Sequence, residues 1–204
     1  MHEVTDREHL EDTGMTSEYP SRVEPSAYAA EVEEQAYEPQ LAHLPEDMRA
    51  RMLDAGIVVD ESVGRSGTFI QLDHSAVHSS VNTESIEMLP IGQAFDKYNW
   101  LADLWWKAVP RETDQYTKSV EEARYNGYFI RALRGQKTLL PLQACLYMGT
   151  GGSAQRVHNI LVAEEGSELH IITGCTCGTG VQEGLHLGVS EFYIRKGAKV
   201  TYTM

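Results

Sequence analysis

The 204-residue sequence has only three cysteines and no long apolar segment. So few cysteines do not form a disulfide framework in a chain of this length, which predicts free thiols in a reducing compartment. No apolar run approaches the roughly 20 residues that a helix needs to cross a bilayer. The first residues also lack the basic and apolar regions of a signal peptide. Together these absences predict a cytoplasmic protein that makes no membrane contact.

The sequence also lacks the positive charge and the motif with which proteins commonly bind phosphate groups. It has 17 Lys and Arg against 30 Asp and Glu, for a net charge of −13. Residues 1–48 hold 13 of the acidic and two of the basic residues, so this part carries −11 and the rest −2. An acidic arm repels nucleic acid. The glycines within 64–67 and 149–153 lack the Gly-Lys-Ser/Thr ending of a P-loop, which excludes nucleotide binding through that motif.

Composition and periodicity divide the chain into three parts. Residues 1–23 are polar and acidic without a period, which predicts a disordered arm. Residues 24–125 are predicted to form a helical N-terminal region with short β segments. Residues 126–204 contain short apolar segments separated by glycines and are predicted to form a β-rich core. The expected fold class is therefore mainly β, with helices ahead of the strands.

Four stretches of the middle part suggest helices or their connections. Residues 24–37 have helix-forming composition, and a second helix is bounded by Pro45 at its start and Gly56 at its end. Its predicted apolar stripe comprises Leu44, Met48, Met52 and Leu53. Residues 93–109 show the strongest helical period and contain all three tryptophans, which favours core packing over a ligand site. Residues 111–124 are read as a polar connection.

The last part of the chain contains a repeat. Gly135, Gly166 and Gly197 lie in similar contexts and follow one another at intervals of 31 residues. A fixed interval of this size is typical of solenoids, whose units bury their apolar faces by stacking. A parallel β-helix fits best, and a cupin-like double-sheet barrel is the alternative. The apolar strand at 200–204 leaves an open edge, so we expect either a partner or a longer protein to cover it.

The candidate chemistry lies in a glycine-rich loop, Gly-Cys-Thr-Cys-Gly, with Cys175 and Cys177. Glycines on both sides leave thiols accessible, and thiolates bind iron–sulfur clusters, zinc or copper(I) and also accept sulfur. The alternative is a pair of structural cysteines in a turn, because Cys-x-Cys without a second pair is weak evidence of a metal site. Cys145 lies in an apolar run, which predicts burial. Its interval of 30 residues from Cys175 leaves a minor metal role open.

Three histidines accompany the cysteines. His186 could orient or complete a site with Cys175 as a neutral imidazole, or be a hydrogen-bonded strand residue. His158 and His170 alternate with apolar residues, which favours packing. A cupin-like metalloenzyme that uses these three histidines and a glutamate is the alternative function. The glutamates around the glycine at 166 are predicted to be solvated; they are Glu164, Glu165 and Glu168.

Residues 157–204 resemble the SufB/SufD family of iron–sulfur cluster assembly proteins. The resemblance is carried by HNILVAEEGSELHIITGC, by Leu-His at 185–186 and by VSEFYIRKGAKVTYTM, with NGYFIRALRGQKTLLPLQACLYM upstream. It covers most of this chain but only the front part of a typical member. It implies a right-handed parallel β-helix preceded by a helical region. It also implies a scaffold, not an enzyme in its own right, which holds a transient iron–sulfur cluster.

The resemblance also implies partners and site residues. The partners are a SufC-type ATPase, where ATP would be hydrolysed, a sulfur donor protein and an identical or related SufB/SufD-type subunit. Cys175 falls at the position of the sulfur-accepting cysteine, with Cys177 and His186 as further cluster ligands. Thr173 replaces a glutamate common in the family, and Cys177 is an addition, so the site departs from the pattern. A SufD-like subunit without active thiols is a third interpretation. A flavin is suspected for some family complexes, but nothing in this sequence supports one.

Overall fold

The structure is a computed structural model that describes residues 23–60, 63–123 and 125–204. Most of the predicted acidic arm at 1–23 therefore lies outside the described residues. The α-helices of the described chain are α1 (Glu46–Asp54), α2 (Ile91–Lys97) and α3 (Gln115–Glu122). Its strands are β1 (Gly67–Leu72), β2 (Ser75–Val81), β3 (Ile86–Pro90), β4 (Tyr128–Ala132), β5 (Leu142–Met148), β6 (Ala154–Ala163), β7 (Glu168–Cys177), β8 (Leu185–Ile194) and β9 (Lys199–Thr203).

The strands form two mixed sheets. One sheet has the order β2-β1-β5-β7-β9 and the other β3-β4-β6-β8. Only the pairs β1–β2 and β3–β4 are antiparallel, whereas β1–β5, β4–β6, β5–β7, β6–β8 and β7–β9 are parallel. From β4 to β9, successive strands alternate between the two sheets. The chain is therefore rich in strands, with short helices beside mixed sheets.

The 31-residue interval seen in the sequence recurs in the register of the strands. Phe129 pairs with Ile160, Ala154 with Leu185 and Glu168 with Lys199, each pair 31 residues apart. The pair β5–β7 is offset by 29, because Leu142 pairs with Ile171. The sheets thus bring residues that are one interval apart in sequence into contact.

The three repeated glycines form successive turns. Gly135, Gly166 and Gly197 have φ angles of +69°, +71° and +70°, a left-handed conformation that glycine adopts without strain. Gly135 N–H donates to Glu165 O at 2.9 Å, and Gly166 N–H donates to Lys196 O at 3.0 Å. Each turn is therefore hydrogen-bonded to the next one.

Charges of alternating sign follow these turns. Glu168 accepts from Lys137 Nζ at 2.6 Å and lies 3.8 Å from Lys199 Nζ on its other side. A second pair of opposite charges lies three residues earlier on the same two turns, where Arg134 forms an ion pair with Glu165. Opposite charges on neighbouring strands favour this register over a shifted one.

The apolar core lies between the two sheets, with further clusters beneath the helices. All ten residues of β6 are buried, because one face of the strand points between the sheets and the other is covered. The central cluster includes Phe69, Tyr128, Leu142, Val157, Leu161 and Ile171. A second cluster under α1 includes Met48, Met52, Ile57, Ile70 and Cys145.

The helix bounded by Pro45 and Gly56 is confirmed as α1. Gly56 has a φ of +79° just past its end, as expected of a helix stop. Met48 and Met52 are buried, but Leu53 is 60% exposed, so its place in the apolar stripe was wrongly predicted. No helix in the described part of the chain is long and apolar enough to cross a membrane.

The predicted helix at 24–37 is wrong. Only Pro25–Ala27 forms a short 3₁₀ turn, and the remainder has no regular secondary structure apart from an isolated bridge at Ala29. Its backbone bonds to other elements instead: Ala29 N–H donates to Gly152 O at 2.9 Å, and Ala29 O accepts from Ala154 N–H at 3.0 Å. These long-range bonds outweigh a weak helix propensity. The helices consequently do not form a block ahead of the strands, because β1, β2 and β3 lie between α1 and α2.

The long helix predicted at 93–109 is also wrong. The helix α2 ends at Lys97, a 3₁₀ turn follows at Asn99–Asp103, and Trp106 has a φ of +56°. The polar stretch at 111–124, read as a connection, contains α3. Its start has a capping box in which Asp114 accepts from the backbone N–H of Thr117 at 2.8 Å.

Candidate functional site

Cys175 lies near the end of β7, where a glycine lets α1 approach the sheet. A Cβ on Gly174 would come within 2.7 Å of Ala55 O, at the end of α1. Helix α1 can therefore pack against this strand only because the residue before Cys175 is glycine. Cys175 is exposed as a residue, although surrounding atoms partly desolvate its thiol, and Cys177 is half-buried.

The structure brings Cys175 and His186 together. Cys175 Sγ lies 3.5 Å from His186 Nε2, within hydrogen-bond distance for sulfur. His186 belongs to β8, in the other sheet, so the loop between β7 and β8 folds the two residues onto each other. The other ring nitrogen, Nδ1, lies 2.8 Å from Gln155 Oε1 on β6. The result is a chain of contacts from amide to imidazole to thiol.

Burial affects both members of the pair. It raises the pKa of the Cys175 thiol and lowers the pKa of the His186 imidazole, because each loses hydration of its charged form. Both shifts favour a neutral thiol beside a neutral imidazole. Such an imidazole can accept the thiol proton when the sulfur attacks, and its lone pair can also bind a soft metal.

Cys175 and His186 form part of the walls of two cavities. The first, of about 490 Å³, is also lined by Arg51, Met148 and Cys177. The second, of about 860 Å³, extends between the sheets and is also lined by Tyr128, Asn159, Thr173, Phe192 and Tyr202. Thr173 Oγ1 donates to Tyr202 OH at 3.0 Å. The thiol is thus reachable from outside and also faces the interior.

Cys145 lies outside this pair. It is fully buried in the cluster under α1, as predicted, and burial raises its pKa to about 12. Its neighbour Leu146 faces the central core and both cavities, so Cys145 points to the opposite side of the sheet. The register places Cys145 opposite Gly174 on β7.

The three histidines of the alternative metalloenzyme are not assembled into one site. His158 is buried, with its Nε2 2.8 Å from Glu191 Oε2, and its ring packs on Trp105 and Trp106. Within residues 23–60, 63–123 and 125–204, no three His, Cys, Asp or Glu residues lie close enough to hold a metal ion. Glu164, Glu165 and Glu168 form ion pairs with Arg131, Arg134 and Lys137.

Two residues of this region escaped the sequence reasoning. Gln155 contacts His186, and Glu191 contacts His158 and the loop that contains Trp106. The signal for Gln155 was present, because it lies 31 residues before His186 and the two are register partners. Glu191 had no such signal, since its partners in the loop lie more than 80 residues away.

The three thiols should differ strongly in reactivity. We expect a small alkylating agent at pH 8 to modify Cys145 at least about 100-fold more slowly than Cys175, because Cys145 is buried and has the higher pKa. Cys177, which is half-buried, should fall between them. Time-resolved labelling with peptide mapping measures all three in one experiment. Equal rates for Cys145 and Cys175 in the folded chain would contradict the described burial.

The fold and the site define a strand-rich protein with an exposed thiol beside a neutral imidazole. The sequence is 45% identical over 170 residues to an iron–sulfur cluster assembly SufBD family protein of Methanothermobacter thermautotrophicus, which covers 81% of this chain and 41% of that protein. It is also 45% identical over 156 residues to a SufBD family protein of Archaeoglobus fulgidus, covering 76% of this chain and 42% of the relative. The chain belongs to the iron–sulfur cluster assembly SufBD family.

More distant similarity extends to bacteria. The iron–sulfur cluster assembly protein SufB of Bacillus subtilis is 26% identical over 99 residues, which is 48% of this chain and 21% of that protein. No family model matches the chain. The chain spans about two fifths of the length of the archaeal relatives that it matches.

Proposed function

We propose that this chain is a scaffold subunit in iron–sulfur cluster assembly and that Cys175 accepts the sulfur. The observation that carries the proposal is the exposed Cys175 thiol 3.5 Å from His186 Nε2, in a chain of the SufBD family. An exposed thiol can reach a sulfur donor, and the adjacent imidazole can take its proton. Cys145, which is buried beneath α1, has neither property.

The proposed step is transfer of one sulfur atom from a persulfide on a sulfur donor protein. The Cys175 S–H bond breaks, its proton passes to His186 Nε2, and the electron pair stays on sulfur. The thiolate attacks the outer sulfur of the donor's persulfide, so that a new S–S bond forms and the donor's S–S bond breaks. The donor leaves as a thiolate, which takes up a proton. One persulfide is made and one is consumed, so no oxidant is needed.

The cluster itself is the product carried by this scaffold. Thiolate and imidazole are ligands that iron–sulfur clusters use in proteins, and such clusters commonly have four protein ligands. Cys175, Cys177 and His186 do not converge on one metal position, so we propose that they bind different iron atoms of the cluster and that the remaining ligands come from the rest of the assembly. The proposed partners are the sulfur donor, a SufB/SufD-type subunit and a SufC-type ATPase, which would hydrolyse ATP.

We further propose that the strands form the first coils of a right-handed parallel β-helix. The alternation of β4 to β9 between two sheets and the 31-residue register support this interpretation. Such a stack would hold Cys175 and His186 on rigid strands. Three free cysteines fit a reducing compartment such as the cytoplasm.

Sulfur mapping tests the proposal directly. The reduced chain, incubated without oxygen with a persulfide-loaded sulfur donor, should gain the mass of one sulfur atom on the peptide that contains Cys175. Subsequent addition of ferrous iron together with an external reductant, which supplies the two electrons that convert each persulfide sulfur to sulfide, should give an absorbance typical of iron–sulfur clusters. Sulfur found only on Cys177 or on Cys145, or metal bound independently of any thiol, would refute the proposed role of Cys175.

A further inference from the structure

We propose that Gln155 is a positioning residue that fixes the tautomer of His186, with the proton on Nδ1 and the lone pair of Nε2 directed at Cys175. The tautomer follows from the hydrogen-bond geometry alone. Its consequence for sulfur acceptance rests on the function proposed above.

The orientation of the Gln155 side-chain amide is determined by two backbone carbonyls. Its Nε2 donates to Asp73 O at 2.9 Å and to Tyr147 O at 3.0 Å. A carbonyl oxygen can only accept, so the amide NH₂ group must face this pair. The reverse orientation would place the amide oxygen against two other oxygens at a position that is only 1% exposed.

The fixed amide determines where His186 carries its proton. With NH₂ committed to the carbonyls, Gln155 Oε1 faces His186 Nδ1 at 2.8 Å and can only accept. Nδ1 must therefore be the protonated nitrogen of the neutral ring. Nε2 then has no hydrogen, and its lone pair points at Cys175 Sγ, 3.5 Å away.

This tautomer is the one that the site requires. A lone pair on Nε2 can accept the thiol hydrogen or bind a soft metal, whereas an N–H there could do neither. A fixed outer hydrogen bond to the second ring nitrogen is how proteins commonly orient histidine ligands. The 31-residue register, which pairs Gln155 with His186 on adjacent strands, holds the contact in place.

Gln155 can be replaced without leaving either buried carbonyl oxygen unpaired, because each carbonyl accepts from a second donor. Asp73 O also accepts from Gln71 Nε2 at 2.8 Å, and Tyr147 O also accepts from Asp73 N–H at 2.8 Å. Each carbonyl keeps one donor when Gln155 is replaced. Gln71 provides a matched control, because it is also a buried glutamine that donates to Asp73 O. Its own oxygen accepts from Gly127 N–H and not from a histidine.

The experiment is multiple-bond ¹H–¹⁵N NMR of the histidine rings in the whole ¹⁵N-labelled chain, in which the two neutral tautomers give distinct patterns. Wild type and Gln71→Met should show His186 protonated at Nδ1. Gln155→Met, which removes the amide oxygen that accepts from Nδ1, should shift the ring toward protonation at Nε2. Alkylation of Cys175 should slow about tenfold in Gln155→Met, the loss expected for one hydrogen bond.

A wild-type ring protonated at Nε2 would overturn the inference, even if a variant failed to fold. An unchanged tautomer in folded Gln155→Met would also overturn it. Because the NMR pattern needs no sulfur donor, it separates this inference from the proposed function. A correct tautomer in a chain that accepts no sulfur would leave the positioning role standing and refute sulfur acceptance.

Discussion

Replacing Cys175 by serine is expected to reduce sulfur acceptance by this chain to background. A hydroxyl cannot form a persulfide, and the exchange of sulfur for oxygen at an exposed position changes little else. His186 remains bonded to Gln155, so the geometry around the site should persist. The measurement is the mass of the chain after incubation with a persulfide-loaded donor, together with the yield of cluster in the complete assembly.

Two matched variants separate chemistry from structure. Cys145→Ser makes the same atomic change at a buried site and should leave sulfur acceptance intact in the folded fraction. Cys177→Ser should lower the cluster yield more than the first sulfur transfer, since Cys177 lines the same cavity and we propose only a supporting role for it. Sulfur loading of Cys175→Ser at the wild-type level would show that another group accepts the sulfur.

Replacing Glu191 by alanine should destabilise the fold by about 3–5 kcal/mol, the usual cost of breaking a buried charged network. Its carboxylate accepts from the backbone N–H groups of Trp106, Ala108 and Val109 at 2.9, 2.6 and 3.1 Å. It also accepts from Tyr193 OH at 3.1 Å, and it faces His158. Alanine would leave the three backbone N–H groups without their acceptor in a site that is 1% exposed, whereas Tyr193 OH keeps Leu104 O as its acceptor.

Urea unfolding followed by tryptophan fluorescence measures this loss, because Trp105 and Trp106 pack on His158 beside the carboxylate. The control is Glu165→Ala, which removes a surface ion pair with Arg134 and should cost less than about 1 kcal/mol. Equal losses for the two variants would mean that Glu191 does not anchor the loop.

The effect of Glu191 should depend on pH. Burial raises the pKa of Glu191, but hydrogen bonds from His158 and from Val109 and Ala108 N–H outweigh it and hold the pKa below its ordinary value. A carboxyl with a lowered pKa in the folded state stabilises above its unfolded pKa, and this contribution is lost as the pH falls through the folded value. The difference between wild type and Glu191→Ala should therefore be full at pH 7 and shrink in acid.

Local sequence signals predicted the parts of this fold that depend on residues close in sequence or on the 31-residue interval. Gly56 marked the end of α1, and the interval between Gly135 and Gly166 became the register between strands. The loop after α2 could not be predicted in this way. Apolar residues such as Leu101 and Trp105 have helical spacing, but a carboxylate more than 80 residues away takes the N–H groups that a helix would use.

The candidate site was predictable to a similar degree. The glycines around Cys175 indicated an accessible thiol, and the nearby Leu-His indicated His186, whose contact with Cys175 the structure shows. Gln155 was not predicted, because the sequence around a polar residue in an apolar strand does not indicate which residue it contacts. The 31-residue interval would have found it, had it been applied to every polar residue and not only to glycines.

The alternating charges along the turns restrict how such a chain can change its length. Glu168 lies between Lys137 and Lys199, each one interval away. Loss of one 31-residue interval, the one that contains Glu168, would bring the two lysines side by side. Like charges directly opposite each other on neighbouring strands are destabilising. Loss or gain of two units at once would keep the alternation. Along this row, viable insertions and deletions should therefore come in pairs of units, a parity rule that comparison of family members of different length can test.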